Sequence, residues 1–262
     1  MVSDQMKEGA LYKKIESILI SQPKPERSPY FQLEEKYGIK VDWRQFIHVE
    51  GITEREFRKQ KIHPEKFSSI IFTSKKSIDH FFKLLEGMRL EMPSTTKYFC
   101  LTETIANYLQ KFIVYRKRKV FIGKRNIEDL QPSLSRFKDQ EKFLLPCSNL
   151  GAKAVSNFLT EHEYDWQESL MYRTVSNDLS DLRDIYYDVL IFFSPLGIES
   201  LFENFPDFKQ NDTRIAVFGD LTEKAVLERG LTVNIKAPVP GTPSMTLALS
   251  NYLDISNNGK AK

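Results

Sequence analysis

The chain is 262 residues long, 41% hydrophobic and 28% charged, with a formal net charge of +3 at pH 7. That is the composition of a soluble globular protein with room for one large domain or two ordinary ones. It falls well short of the basic footprint of a dedicated nucleic-acid binder, and no apolar run approaches the ~18 residues of a bilayer span. Two cysteines, Cys100 and Cys147, are too few for a disulfide framework.

The N-terminal MVSDQMKEGALYKKIES is polar and mixed in charge, without an apolar signal-peptide core, so a reduced, cytoplasmic setting is expected. Roughly the first dozen residues and the final SNNGKAK carry few core-forming side chains and are expected to be disordered. Next, ILISQPKPERSPYFQLEEKYGIKVDW (18–43) reads as an apolar strand, a polar turn, an amphipathic helix and a Gly-containing exit. SIIFTSKKSIDHFF (69–82) gives a strand and then a helix, with Ile78, Phe81, Phe82 and Leu85 spaced near 3.6. KYFCLTETIANYLQK (97–111) has the same form. The basic run Tyr115–Lys119 precedes the strand VFIG and reads as a solvated strand entrance, not a nucleic-acid patch.

The second half restates the first. FLLPCSNLGAKAVSNFLTEHEYDW (143–166), VLIFFSPLGIESLF (189–202) and RIAVFGDLTEKAVLERG (214–230) match the three earlier segments in the same order. The spacings are 125, 120 and 118 residues, from Ile18 to Phe143, Ser74 to Ser194 and Thr104 to Thr222. A repeat of that length is domain-sized. Short continuous apolar runs suit parallel strands buried on both faces, and the strand–helix alternation implies right-handed crossovers. The expected fold class is α/β, with two similar doubly wound parallel-sheet lobes.

In open sheets of this kind, ligands bind at the carboxyl ends of the strands, against helix N-termini. Here those ends carry hydroxyls: Thr73 and Ser74, Thr102 and Thr104, Ser194, and Thr222. Each fits a helix cap, most plainly Ser194 before Pro195. Matching hydroxyls in both lobes also suggest helix N-termini lining one cleft and offering N–H groups to carboxylates. The histidines (His48, His63, His80, His162) show no metal-ligand spacing, so no metal is expected. Cys147 has no evident histidine partner and reads as structural. No Gly-rich dinucleotide or P-loop motif follows any strand, so no nucleotide cofactor is expected.

The ordered set IIFTSKKSIDHFF, FLLPCSNLGAKAVSNFL, LMYRTV, FFSPLGIESLF, FGDLTEKA and PVPGTPSMTLALSNYL resembles the uroporphyrinogen-III synthase family from about residue 16 to residue 253. The resemblance implies two α/β lobes joined by a two-stranded linker. Residues 1–45 would join 176–262 in one lobe and 46–175 would form the other, with linker strands at 45–52 and 172–177. It also implies a closing motion of the lobes around a large substrate.

The implied activity is cofactor-free conversion of hydroxymethylbilane to uroporphyrinogen III. The bilane loses water, ring D attacks to form a spiro intermediate, and the ring closes with ring D inverted. Tyr172, matching the family tyrosine of LMYRTV, would donate the proton to the leaving hydroxyl. Ser74, Thr104, Ser148, Ser194, Pro195, Gly197 and Thr222 would contact substrate, with Lys75 and Lys224 as carboxylate partners. The family places glycine three residues before the first-lobe threonine; this chain has Leu101 there, but keeps Gly219 in the second lobe.

Transient handover from porphobilinogen deaminase is expected, with no nucleic-acid or membrane partner, and a monomer suffices. The competing possibility is a non-catalytic cytosolic two-lobe protein binding a tetrapyrrole or another polyanion.

Overall fold

A computed structural model describes residues 13–258. In chain order the elements are β1 (Ser17–Ile20), α1 (Tyr30–Tyr37), β2 (Lys40–Trp43), β3 (Ile47–Gly51), α2 (Glu54–Lys59), β4 (Ser69–Phe72), α3 (Lys75–Met88), β5 (Lys97–Cys100) and α4 (Glu103–Leu109). They continue with β6 (Val120–Ile122), α5 (Gln131–Ser135), β7 (Phe143–Ser148), α6 (Lys153–Glu161), β8 (Trp166–Ser176), β9 (Val189–Phe192), α7 (Pro195–Asn204), β10 (Arg214–Phe218), α8 (Asp220–Glu228), β11 (Val233–Ala237) and α9 (Met245–Ser256).

The chain divides into two units. One comprises the residues up to His48 and those from Val175 onward; the other is Val49–Thr174. The first contains a sheet of order β11-β10-β9-β1-β2, and the second one of order β3-β8-β7-β4-β5-β6. The pairs β1–β2, β1–β9, β9–β10, β10–β11, β4–β5, β4–β7, β5–β6 and β7–β8 are parallel. The fold is the expected α/β class.

Alternation along the strands explains the continuous apolar runs. In β4, Ile70 and Phe72 enter one core with Phe81 and Leu85 of α3 and Ile105 and Leu109 of α4. Ile71 between them enters the opposite core with Val155, Phe158 and Leu159 of α6. In the other unit, Ile18 and Ile20 pack under α1 and α9, while Leu19 packs with Ile198 and Leu201 of α7 and Val226 of α8. A sheet covered on both faces has no solvent side on which to place polar residues.

Most of the expected terminal disorder falls on residues 1–12 and 259–262, outside the described residues. Within the remainder, the expectation for SNNGKAK is corrected at its start. Ser256 closes α9, and the Asn257 amide accepts from Ile15 N (2.9 Å) and donates to Ile15 O (2.8 Å), tying the two ends of that unit together. The amide satisfies both backbone groups of Ile15, just ahead of β1. Among the described residues, no helix is long and apolar enough to cross a membrane.

Candidate active site

Strand order marks a candidate site in each unit. In the Val49–Thr174 unit the chain runs from β4 outward to β5 and β6, and from β7 the other way to β8, so the order reverses between β4 and β7. In the other unit the reversal falls between β1 and β9. At such a switch point the connections diverge and leave a crevice at the strands' carboxyl ends.

At the β4/β7 reversal, Ser74 caps the 14-residue α3. Its Oγ accepts from Ser77 N (3.1 Å), and Ser77 Oγ donates to Ser74 O (2.7 Å). Ser148 ends β7 and lies in register with Tyr172 of β8. The register slips there: Cys147 pairs with Leu170 and Ser148 with Tyr172, which leaves Met171 as an extra residue on β8. This bulge breaks the two-residue alternation, so Met171 and Tyr172 both turn into the same core. The Tyr172 hydroxyl thereby comes to 3.4 Å from Ser74 Oγ.

The Tyr172 ring stacks on His80 of α3, with centroids 4.8 Å apart and planes at 19°. Burial lowers the His80 pKa, with Lys83 and Lys76 adding to the effect and Asp79 opposing it, which favours a neutral imidazole against the phenol. On its other side the imidazole abuts Gly51, where a Cβ would stand 2.9 Å from Nδ1. The sequence alone gives His80 no role, as the histidines show no metal-ligand spacing. Its available signal was the polar i, i+3 series Ser74, Ser77, His80 along one helix face.

Next to Tyr172, Arg173 Nη1 donates to Glu56 Oε1 (2.8 Å), and Glu56 completes a capping box with Thr53 at the start of α2. The Thr53 backbone N–H, then Arg173, then the Thr53 hydroxyl hold the Glu56 carboxyl down at about 2. A depressed carboxylate contributes its stability fully above its unfolded pKa of about 4.3 and loses it as pH falls toward the folded value. Urea midpoints should therefore fall as pH drops from about 5 toward 2. Glu56→Gln should flatten that part of the profile; an unchanged slope would remove Glu56 from the account.

The other candidates of this unit lie apart from Tyr172. Lys75 is exposed, its ammonium 5.5 Å from the Tyr108 ring. Thr104 is exposed in the first turn of α4, whose cap is Thr102.

In the other unit, Ser194 sits at the N-cap of α7 with Pro195 at the first helical position, but its hydroxyl makes no capping bond. Gly197 is buried there: a Cβ would stand 3.1 Å from Phe192 Cδ1 and 3.8 Å from Ser21 Oγ. Ser21 follows β1 across the strand reversal and was not anticipated. Thr222 is 2% exposed within α8. Lys224 is exposed and pairs with Glu228 at 3.7 Å.

The burial difference between Thr104 and Thr222 has a local cause. Gly219, at φ +88°, caps α8 directly after β10, whereas α4 needs Leu101 and Thr102 between strand and helix. The two helices therefore start one residue out of step.

The cysteines fit a structural role. Burial raises both thiol pKa values, Cys100 to about 12, and the Cys147 thiol donates to Glu168 Oε1 at 2.9 Å. Among the described residues, no group of His, Cys, Asp and Glu could hold a metal ion.

The family model described as Uroporphyrinogen-III synthase HemD matches residues 30–246. Among solved structures, uroporphyrinogen-III synthetase from Helicobacter pylori 26695 is similar with a TM-score of 0.56 at 16% identity, over 92% of this chain and 99% of that one. A mutant uroporphyrinogen III synthase from the extremely thermophilic bacterium Thermus thermophilus gives 0.51 at 17% identity, over 91% and 99% of the two chains. At such identities the structures speak for the fold alone. No curated protein matches the chain significantly. The family model spans most of the sequence, from the start of α1 into α9, and the chain belongs to the uroporphyrinogen-III synthase family.

Proposed function

We propose that the chain converts hydroxymethylbilane to uroporphyrinogen III as a cytoplasmic, cofactor-free lyase, with lobes at 1–45 plus 176–262 and at 46–175. The observation that carries this is the family match over residues 30–246. The bilane loses its terminal hydroxyl as water, which leaves an electrophilic azafulvene. The ring D carbon attacks to form the spiro intermediate, which reopens and closes with ring D inverted. The ring-D carbon that takes part in closure loses its proton as aromaticity returns, so the overall change is loss of one water.

Tyr172 is proposed to protonate the departing hydroxyl. Ser74 Oγ already accepts from Ser77 N, so its own hydrogen can turn to the Tyr172 oxygen at 3.4 Å. The phenolic hydrogen is then left to the leaving group. The substrate is intrinsically reactive, so orientation supplies most of the remaining effect. The amides at the starts of α3 and α7 are proposed to take substrate carboxylates, together with Ser148, Ser194 and Lys75. Handover from porphobilinogen deaminase and action as a monomer complete the proposal.

His80 holds the Tyr172 ring plane by stacking, and Gly51 gives His80 its room. Gly51→Ala, acting through a displaced imidazole, is expected to slow type III isomer formation about tenfold while Tyr172 is untouched. Rates of enzymatic ring closure on the purified variant provide the check; a wild-type rate would show that the stack does not position the tyrosine.

A further inference from the structure

In each unit a cavity lies at the amino-terminal edge of the sheet, the edge opposite the candidate active site. In the Val49–Thr174 unit it measures about 720 Å³ and lies between the α3–β5 and α4–β6 connections. In the other unit a cavity of about 670 Å³ lies beside the corresponding α7–β10 connection. Because the units repeat one another, each cavity is a reference for the other.

The two differ in polarity at matching places. Thr213, before β10, is buried and its hydroxyl donates to Tyr187 O at 3.0 Å. Its counterpart Thr96, before β5, is 2% exposed and lines the larger cavity, but its Oγ1 has no hydrogen-bond partner. A buried hydroxyl without a partner is costly, and Thr96 belongs to the cavity wall, so a small rotation of its side chain would turn the hydroxyl to a bound group.

The charges differ too. The smaller cavity is lined by Arg183 and Lys209 against Asp184 and Asp207, a net of zero. The larger has Arg89, Arg116 and Lys119 against Glu86 and Glu91, a net of +1. Lys119 donates to the Ser94 carbonyl across the cavity's edge. The Arg89 and Arg116 guanidiniums make no ion pair or hydrogen bond among the described residues. Burial lowers the Lys119 pKa, and Arg116, Arg118 and Lys97 lower it further, as in a field short of negative charge. The remaining wall is apolar and aromatic, including Tyr98, Leu90 and the stacked pair Phe82 and Phe112, with centroids 4.9 Å apart.

We propose that this cavity binds a small molecule with an aromatic or apolar body and a single carboxylate or sulfonate. The body would lie against Phe82, Phe112 and Tyr98, and the anion would take the free guanidiniums and the Thr96 hydroxyl. The net charge of +1 selects a monoanion over a polycarboxylate, which separates this site from the carboxylate-rich substrate of the main reaction. The volume lies in the ordinary range for small-molecule pockets. The basic run before β6 thus lends two of its side chains, Arg116 and Lys119, to a built cavity.

The test uses 8-anilinonaphthalene-1-sulfonate as probe, titrated into the full chain and followed by its fluorescence. Saturable binding of one probe per chain is expected, weakened by salt. Reversing both guanidiniums in the double variant Arg89→Glu, Arg116→Glu should raise Kd at least about tenfold, whereas Arg183→Glu in the smaller cavity should leave it unchanged. Thr96→Val, which removes the unpaired hydroxyl at nearly constant shape, should raise Kd while the melting temperature holds or rises. Circular dichroism reports whether each variant folds, and if the double variant does not, Thr96→Val decides. No saturable binding by the wild type, or an unchanged Kd in the folded variants, overturns the proposal.

Discussion

Phe72→Ala is expected to destabilise its unit by about 3–5 kcal/mol, the largest stability loss predicted for any single change considered. Phe72 is 0% exposed at the end of β4, between β5 and β7. Its ring meets Phe81 edge-on at 5.5 Å, stacks on Tyr98 at 6.2 Å and lies tilted against Phe82 at 6.2 Å. Truncation removes those contacts and leaves a cavity that regular strands and helices cannot close. Phe72→Leu should cost much less, since it keeps most of the volume. Urea unfolding with tryptophan fluorescence and far-UV circular dichroism measures both. If the units unfold separately, only the transition of Val49–Thr174 should move. A loss below about 1 kcal/mol for the alanine variant would mean that this core repacks freely, contrary to the description above. Phe72 also lies two residues before Ser74, so the same truncation loosens the cap that sets Ser74 against Tyr172.

Tyr172→Phe is expected to slow type III isomer formation about 10²-fold, the lower end of the range for a positioned proton donor. The lower end applies because the hydroxyl can leave the bilane unaided, so the donor assists a step that already proceeds. Phenylalanine keeps the ring in its stack with His80 and in the core, so stability should change by less than about 1 kcal/mol. Ser74→Ala removes both functions of that serine together. It removes the α3 cap, worth about 1 kcal/mol, and the partner that leaves the phenolic hydrogen available. If Tyr172→Phe retains the wild-type rate, the tyrosine is a packing residue and the proton comes from elsewhere, solvent included.

The parts legible in the sequence were those written as local periodicity. Ile70 to Phe72 and Val189 to Phe192 are unbroken apolar runs because both faces of their sheets are covered, and the helices carry apolar residues at helical spacing. The duplicated order of those segments showed two α/β lobes. Ser74 and Ser194 stood out as residues placed where a helix begins.

What stayed hidden depends on relations between distant segments. The bulge at Met171 exists only in the register of β7 with β8, and it directs Tyr172 toward Ser74. His80 became significant only when its helix met that bulged strand and Gly51. Thr104 and Thr222 matched as letters, but the backbone at Gly219 starts one helix a residue early and buries the second threonine. The cavity beside Thr96 is formed by two connections whose composition looks like ordinary loop.

The most direct test of the proposed activity starts with hydroxymethylbilane generated in situ by porphobilinogen deaminase. Trace amounts of the purified chain are added, the products are oxidised, and the porphyrin isomers are separated chromatographically. Without the chain, spontaneous closure gives the symmetric type I isomer. A shift to type III is expected at substoichiometric protein, with many turnovers per chain. Type I alone in the presence of folded protein, or type III only in proportion to the protein added, would contradict it and leave a tetrapyrrole-binding protein instead of a synthase.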